Sequence, residues 1–192
     1  MLDQDPKLAI CHSSWGETAL QAASHLGHRS LLSSLINVGV SVDLFAACAI
    51  GDIDTALELI RLTGPDVCGV HGLPILHFGV VGGKPYVLGI LLAAGVPVNP
   101  KTASLSPLHS AVACGSLAMI HRLLLAGADP TAPDAFGATV LDWALDLERE
   151  GSEIVSVLTS NQKSTRAHSR MRGFPGLLAP GDTGFSDRKS RL

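Results

Sequence analysis

The sequence predicts an all-α fold, a solenoid of about five helix-turn-helix units joined by short projecting turns. The first observation behind this prediction is a repeat. A helix opening, a glycine nine residues later and a second glycine twelve residues after that recur along the 192-residue chain. The second is composition, because 46% of the residues are hydrophobic but only 4% are aromatic, which suits thin, closely packed helices. One such unit cannot bury its apolar face alone, so neighbouring units are expected to stack.

A leucine in the first helix of each copy sets the period of the repeat. The steps between successive leucines are 24, 32, 32 and 33 residues, for Leu20, Leu44, Leu76, Leu108 and Leu141. Two copies open with similar tetrapeptides, PILH at 74–77 and SPLH at 106–109, and DAFGAT at 134–139 leads into the last copy. This period and these motifs resemble the ankyrin repeat, in particular bacterial-type ankyrin repeat domain-containing proteins.

The resemblance covers about residues 14–159 and implies two antiparallel helices and one projecting finger per unit. It also implies a scaffold without built-in chemistry. An ankyrin repeat domain is therefore expected over residues 1–159, with units at about 14–41, 42–66, 70–99, 102–130 and 134–159. The polar unit 1 and the acidic unit 5 are expected to act as caps. Gly151 comes about three residues late, so the first helix of unit 5 is expected to be a turn longer.

Unit 2 is expected to lack a finger, because its step of 24 residues is shorter than the period by about the length of a projecting turn. The second helix of unit 1 should run almost directly into unit 2 and leave a gap in the row of fingers. Asp43 is expected to cap the first helix of unit 2, and Asp52 the second, over residues 55–62. The fuller connections are finger 2/3 (63–73), finger 3/4 (96–105) and finger 4/5 (129–138).

Charge divides the chain into an acidic body and a basic tail. Residues 1–159 carry a formal charge of −8, whereas residues 160–192 carry +5. The acidic body argues against the phosphate-driven contacts on which nucleic-acid binding depends. The tail is rich in serine, arginine, glycine and proline and has few apolar residues, so it is predicted to be disordered.

Nothing in the sequence predicts secretion or a membrane span. The start, MLDQDP, has neither the basic region nor the apolar stretch of a signal peptide. The uncharged stretches on either side of Lys84 have 17 and 16 residues, fewer than the about 20 that a spanning helix needs. The cysteines follow no disulfide spacing: Cys11, Cys48, Cys68 and Cys114. A cytoplasmic monomer is expected.

No constellation in the sequence predicts catalysis, a cofactor or a metal site. His77 and His109 occupy the fourth position of the opening tetrapeptide, where the resemblance implies structural hydrogen bonds between units. Cys68 and His71 have a spacing that zinc can use, but zinc needs three or four ligands. The chain also lacks a nucleophile elbow, a phosphate-binding loop and an HExxH motif. We therefore expect no convergent cluster of histidine, cysteine and carboxylate side chains.

The resemblance places contact residues in the finger lead-ins and just before the closing glycine of each inner helix. The predicted partner-binding residues are Trp15, Glu17, His25, Leu26, Ile50, His71, Leu73, Val81, Thr102, Leu105, Ala135 and Phe136. This surface is largely apolar, with Trp15 and Phe136 near its two ends, and aromatic side chains are favoured at interface hot spots. Packing beneath its own segment is an equally good interpretation for either aromatic residue alone.

The expected function is non-catalytic binding of a protein partner, through the finger tips and the concave face of the inner helices. Two alternatives stay open. The chain can be the structural end of a longer repeat array without a binding role of its own. It can also bind a small molecule or act as an enzyme, which would require a convergent polar cluster in the fold.

Overall fold

The computed structural model describes residues 13, 16–101, 103–147 and 153–172, with side chains described as far as residue 162 of the last helix. Its helices alternate between an inner and an outer row. The inner helices are α1 (Ala19–His25), α3 (Leu44–Ile50), α5 (Ile75–Val81), α7 (Pro107–Ala113) and α9 (Val140–Asp146). The outer helices are α2 (Arg29–Asn37), α4 (Ile53–Thr63), α6 (Pro85–Ala93), α8 (Leu117–Leu125) and α10 (Glu153–Arg172). The predicted all-α solenoid is confirmed.

The helices of unit 2 begin where the sequence places their caps. A side-chain oxygen of Asp43 accepts a hydrogen bond from the backbone N–H of Ala46 at 2.7 Å. Asp52 accepts one from the N–H of Thr55 at 3.2 Å. Each carboxylate thus satisfies a backbone donor that has no partner within the helix. Both predicted caps are confirmed, although the second helix begins at Ile53, two residues earlier than expected.

The inner helices form the continuous core of the solenoid, since each packs along its inner neighbours. The repeat leucines of the first four units are buried, at 6% exposure or less: Leu20, Leu44, Leu76 and Leu108. Unit 5 differs, because Val140 is buried there and Leu141 only partly so. In α3 four consecutive small side chains are at most 1% exposed: Ala46, Ala47, Cys48 and Ala49. Small side chains let neighbouring helices approach closely.

The closest backbone approach lies where α1, α3 and α5 end. A Cβ atom at Gly82 would lie 2.4 Å from the carbonyl oxygen of Ala49. A Cβ atom at Gly27 would lie 2.6 Å from the carbonyl oxygen of Val81, and Gly27 also has a positive φ of 65°. Both distances are shorter than real Cβ contacts. Glycine at these two positions therefore allows three inner helices to meet through their backbones.

Unit 2 lacks a finger, as predicted, since only residues 38–43 separate the end of α2 from the start of α3. The expected gap in the row of fingers is wrong, however. Helix α1 contacts α5 as well as α3. In addition, Nε2 of His71, on finger 2/3, lies 3.6 Å from a carboxylate oxygen of Glu17 in unit 1. The short connection thus brings units 1 and 3 together across unit 2.

Two expectations about the C-terminal part differ from the structure. Helix α9 has seven residues, like the other inner helices, and is not a turn longer; Gly151 lies outside the described residues. Helix α10 continues to Arg172, so residues 160–172 are helical rather than disordered. No glycine or proline interrupts the chain between Ser160 and Arg172, which permits the helix to continue. The rest of the predicted tail, residues 173–192, lies outside the described residues.

Helix length also bears on membrane insertion. A spanning helix needs about 20 consecutive, predominantly apolar residues. Helix α10 has 20 residues but is largely polar, and α4, with 11 residues, is the next longest of the helices described. Among the described residues, none of the helices combines the length and the apolar character needed to cross a bilayer.

Two glycine-to-alanine substitutions test the close approach of α3 and α5. We expect Gly82→Ala to lower the free energy of unfolding by about 1–3 kcal/mol, because its methyl group would collide with the backbone of Ala49. Gly89 is exposed in the middle of α6 and has no atom within 4 Å of the position of a Cβ. We therefore expect Gly89→Ala to raise that free energy by about 0.4–1 kcal/mol. Denaturant unfolding followed by circular dichroism measures both; a neutral Gly82→Ala would contradict the close approach.

Candidate functional site

Hydrogen bonds between neighbouring fingers join them into one row. The backbone N–H of Ser104 donates to the carbonyl of Gly72 at 3.0 Å, and its hydroxyl donates to the carbonyl of His71 at 2.7 Å. On the other side, the N–H of Ala135 donates to the carbonyl of Ser104 at 2.8 Å. Ser104 of finger 3/4 thus holds finger 2/3 and finger 4/5. The exposed side chains of these fingers are therefore carried on a backbone with fixed spacing.

The tip of finger 4/5 is organised by the carboxylate of Asp134. One oxygen accepts hydrogen bonds from the backbone N–H groups of Phe136 and Ala138, each at 2.9 Å. The other accepts one from the indole N–H of Trp143 at 2.9 Å. Desolvation acts to raise the pKa of Asp134, but the bonds from Trp143, Ala138 and Phe136 outweigh it and hold this pKa below its ordinary value. The turn that displays Phe136 is thereby fixed to α9.

The structure separates the predicted partner-binding residues into four groups. Exposed residues are Leu26, His71, Ala135 and Phe136. Partly buried residues are Glu17, His25, Ile50, Val81 and Leu105. Leu73 is only 6% exposed and packs in the core, because it follows the 3₁₀ turn Val70–Gly72 directly into the start of α5, so its predicted role as a contact residue is wrong. Trp15 and Thr102 lie outside the described residues.

For Trp15 and Phe136 the sequence allowed either an exposed or a packed side chain. The structure shows that the side chain of Phe136 is exposed. Its side chain is 96% exposed at the tip of finger 4/5. Leu26, the C-cap residue of α1, is 69% exposed. The predicted set therefore presents exposed apolar side chains in units 1 and 5, on either side of the partly buried Ile50, Val81 and Leu105.

Sequence reasoning missed apolar residues on the outer helices. Leu62, Tyr86 and Leu125 are 75%, 53% and 88% exposed. A groove of about 400 Å³ between α8 and α10 is lined in part by Leu125 and Val157. The resemblance supplies contact positions only in the fingers and the inner helices, so these residues were not predicted. Apolar residues at outer-helix positions that face away from the inner row were the signal that could have identified them.

Three predicted contact residues meet at one point, which the sequence did not predict. Nδ1 of His25 lies 2.8 Å from Oε1 of Glu17, and Nε2 of His71 lies 3.6 Å from Oε2. The two imidazole rings are perpendicular, with centroids 5.3 Å apart. The expectation of no convergent histidine–carboxylate cluster is therefore wrong. The shortened step between units 1 and 2 was its only sequence signal.

His77 ties three units together, as the resemblance implied. Its Nε2–H donates to the carbonyl of His25 at 3.0 Å, and its Nδ1 accepts from the hydroxyl of Ser110 at 2.8 Å. These partners fix the neutral tautomer, since a carbonyl can only accept. Burial lowers the pKa of His77 to about 4, although the hydrogen bond to the carbonyl of His25 acts in the opposite direction.

His109 has a corresponding role between units 4 and 5. Its Nδ1 faces the hydroxyl of Ser106 at 2.8 Å, and its Nε2–H donates to the carbonyl of Ala138 at 3.2 Å. Burial lowers the pKa of His109, while the bond to Ala138 and the charge of Asp134 oppose that shift. The predicted structural roles of His77 and His109 are confirmed, and both ring nitrogens of each residue are occupied by neighbours within the fold.

Comparison with known proteins leads to the same fold family. The family model described as Ankyrin repeat matches residues 105–135, which contain α7, α8 and the first seven residues of finger 4/5. The chain is an ankyrin-repeat protein. Repeats of this family generally mediate protein–protein interactions. The stacked helix pairs and the linked fingers described above are the parts that this family uses as a scaffold.

Similar proteins are much longer than this ankyrin-repeat chain. The palmitoyltransferase ZDHHC13 of Mus musculus is 30% identical over 107 residues, 56% of this chain and 17% of that protein. The RelA-associated inhibitor of Mus musculus is 28% identical over 108 residues, 55% of this chain and 12% of that protein. The SH3 and multiple ankyrin repeat domains protein 2 of Homo sapiens is 26% identical over 180 residues, 87% of this chain and 10% of that protein. The chain spans less than a fifth of these relatives, and none of the three supports the bacterial type expected from the sequence.

The low pKa of His77 makes stability depend on pH. In the unfolded chain this histidine takes up a proton near its ordinary pKa of 6.5, whereas in the fold it does so only near 4. The unfolded state therefore binds more protons within this window, and stability falls as the pH is lowered from about 6.5 towards 4, by up to about 3 kcal/mol. We expect His77→Gln to reduce this pH dependence, measured as the urea midpoint at several pH values.

The exposed His121 on α8 provides the matched control. We expect His121→Gln to keep the pH dependence of the wild-type chain, because an exposed side chain does not have to give up its hydration on folding. Equal slopes for the wild type and His77→Gln would contradict the assignment.

Proposed function

We propose that this ankyrin-repeat chain is a cytoplasmic, monomeric and non-catalytic module that binds a protein partner through its finger tips and the concave face of its inner helices. The observation that carries the proposal is Phe136, an aromatic side chain 96% exposed on a turn whose backbone is held by Asp134. Exposed aromatic anchors on a fixed backbone lose little conformational entropy on binding.

The surroundings of this anchor support a partner with an apolar contact face. Ala135 lies beside Phe136 at the finger tip, Leu26 is exposed at the end of α1, and both are uncharged. The partly buried Ile50 and Leu105 add apolar surface between the two ends. A partner that covers about 800 Å² on each side would make an ordinary interface.

The charge of the body argues for protein rather than nucleic acid. Residues 1–159 carry a formal charge of −8, which repels phosphate groups at physiological salt. One relative, the RelA-associated inhibitor, is named for its association with another protein, and this supports a binding role for similar repeats. The non-catalytic part of the proposal is supported by His77 and His109, whose ring nitrogens are occupied by structural hydrogen bonds. The cluster of Glu17, His25 and His71 is given a structural role below.

Matched pairs of exposed apolar residues test which face binds. The test variant carries Leu26→Ala and Phe136→Ala; the control variant carries Leu62→Ala and Leu125→Ala, which lie on outer helices and are equally accessible. Substitutions at such exposed positions change stability by about 0.5 kcal/mol or less, so neither variant should lose helicity. We expect proteins captured by the full-length wild-type chain to be retained by the control and lost by the test variant, measured by quantitative mass spectrometry of the captured fraction.

The opposite pattern would move the binding face to the outer helices. Retention of the same proteins by all three chains would contradict a role for the finger and inner-helix surface. A partner identified in this way can then be titrated against each single variant, for which truncation of an anchoring side chain should weaken binding by more than about tenfold.

A further inference from the structure

We propose that Glu17, His25 and His71 bind a zinc ion that connects unit 1 to unit 3 across the finger-less unit 2. The protein would supply two imidazole nitrogens and one carboxylate, and the fourth position would be taken by water. This inference does not depend on the proposed function, because it concerns the stability of the scaffold rather than the surface presented by Leu26 and Phe136.

The donor set suits zinc in type and in spacing. Zinc binds histidine nitrogen and carboxylate oxygen at about 2.0–2.2 Å, so two ligand atoms on a tetrahedral ion lie about 3.3 Å apart. Oε1 of Glu17 lies 2.8 Å from Nδ1 of His25, and Oε2 lies 3.6 Å from Nε2 of His71. One ligand atom from each residue lies within 4.8 Å of the others. The side chain of His71 is 53% exposed, which leaves its ring room to turn towards the other two ligands.

Hydrogen bonding fits only one of the two contacts that Glu17 makes within the cluster. The 2.8 Å distance between Glu17 and His25 lies in the hydrogen-bond range, but the 3.6 Å distance between Glu17 and His71 is too long. That longer distance is close to the separation of two ligands on one zinc ion. The cluster also places a carboxylate, the negatively charged ligand type that zinc accepts, beside two imidazole rings.

Contacts from neighbouring parts of the fold hold each ligand residue in place. The backbone N–H of Glu17 donates to the hydroxyl of Ser13 at 3.0 Å. The carbonyl of His25 accepts from His77 at 3.0 Å, and the carbonyl of His71 accepts from Ser104 at 2.7 Å. Fixed backbones around ligand residues are typical of metal sites, where outer contacts orient the ligands. Three different segments of the chain thus hold the backbones of the three ligand residues.

The backbone of His71 adds an independent observation. With φ 58° and ψ 18° it is the one non-glycine residue with positive φ among those that the structure describes. A residue with a β-carbon is strained in this left-handed conformation, and such strain concentrates at functional sites. Here it places the imidazole of His71 beside Glu17. A glycine would fit the backbone at this position better, but it would supply no ligand.

Neighbouring histidine and cysteine residues do not belong to this set. His28, three residues after His25, accepts a hydrogen bond from Leu31 at the start of α2 through its Nδ1. Cys68 shares finger 2/3 with His71, but the cluster that the structure brings together contains Glu17 and His25 instead. The proposed ligand set therefore includes His71 but not Cys68.

The first test is titration of the full-length chain, freed of metal by chelator and dialysis, with zinc chloride in a calorimeter. We expect one ion per chain in the wild type and a loss of affinity of at least about 100-fold in His71→Gly, since even outer contacts change metal affinity by about 10–100-fold. His71→Gly keeps the left-handed backbone while removing the ligand. His121→Ala, which removes an exposed histidine on α8, should bind zinc like the wild type.

The second test uses Co²⁺ in place of zinc and the thermal midpoint as a readout of the scaffold. We expect visible absorption bands from nitrogen and oxygen ligands, without the near-ultraviolet charge-transfer band of a thiolate. Zinc should raise the thermal midpoint of the wild type but not of His71→Gly or Glu17→Gln. No binding by the wild type, unchanged binding by His71→Gly when its helicity is intact, or a thiolate band would each overturn the proposal.

Discussion

The close stacking of the inner helices is the constraint on which the rest of this structure depends. Helices of only seven residues cannot hold their shape alone, so their stability comes from burial against the next unit. Burial at this spacing requires small residues, and α3 supplies four of them in succession, Ala46 to Ala49. The stacking also sets where each finger emerges. Ser104 can reach both adjacent fingers only because the helices below keep them in register.

Much of the fold could be predicted because the residues that define the repeat act locally, by capping helices or by packing in the core. Leucine spacing gives the number of inner helices, and Asp43 and Asp52 mark helix starts because their carboxylates accept backbone hydrogen bonds. The histidines of the opening tetrapeptides identify contacts between units, which the bonds of His77 and His109 confirm. The extent of α10 was less predictable, because a polar segment without glycine or proline can either extend a helix or adopt an irregular conformation.

The candidate site was harder to predict, because its geometry depends on long-range packing. The contact positions implied by the resemblance include Leu26 and Phe136. Whether these side chains are exposed depends on whether neighbouring segments cover them. Leu73 shows the opposite outcome, since the turn before it directs its side chain into the core. Glu17 and His71 are far apart in sequence. They meet across unit 2, which has no finger, and the spacing of residues within one unit does not reveal such a contact.

The short connection before unit 2 has a further consequence for how the chain unfolds. In a solenoid whose repeats touch only their immediate neighbours, stability is a sum of nearest-neighbour terms, and terminal units can fray one at a time. Here α1 contacts α5 directly, and His77 bonds to His25 in unit 1 and to Ser110 in unit 4. Loss of unit 1 therefore removes a partner of unit 3 as well as one of unit 2. These contacts couple unit 1 directly to unit 3, so we expect the N-terminal repeats to unfold together rather than to fray one at a time.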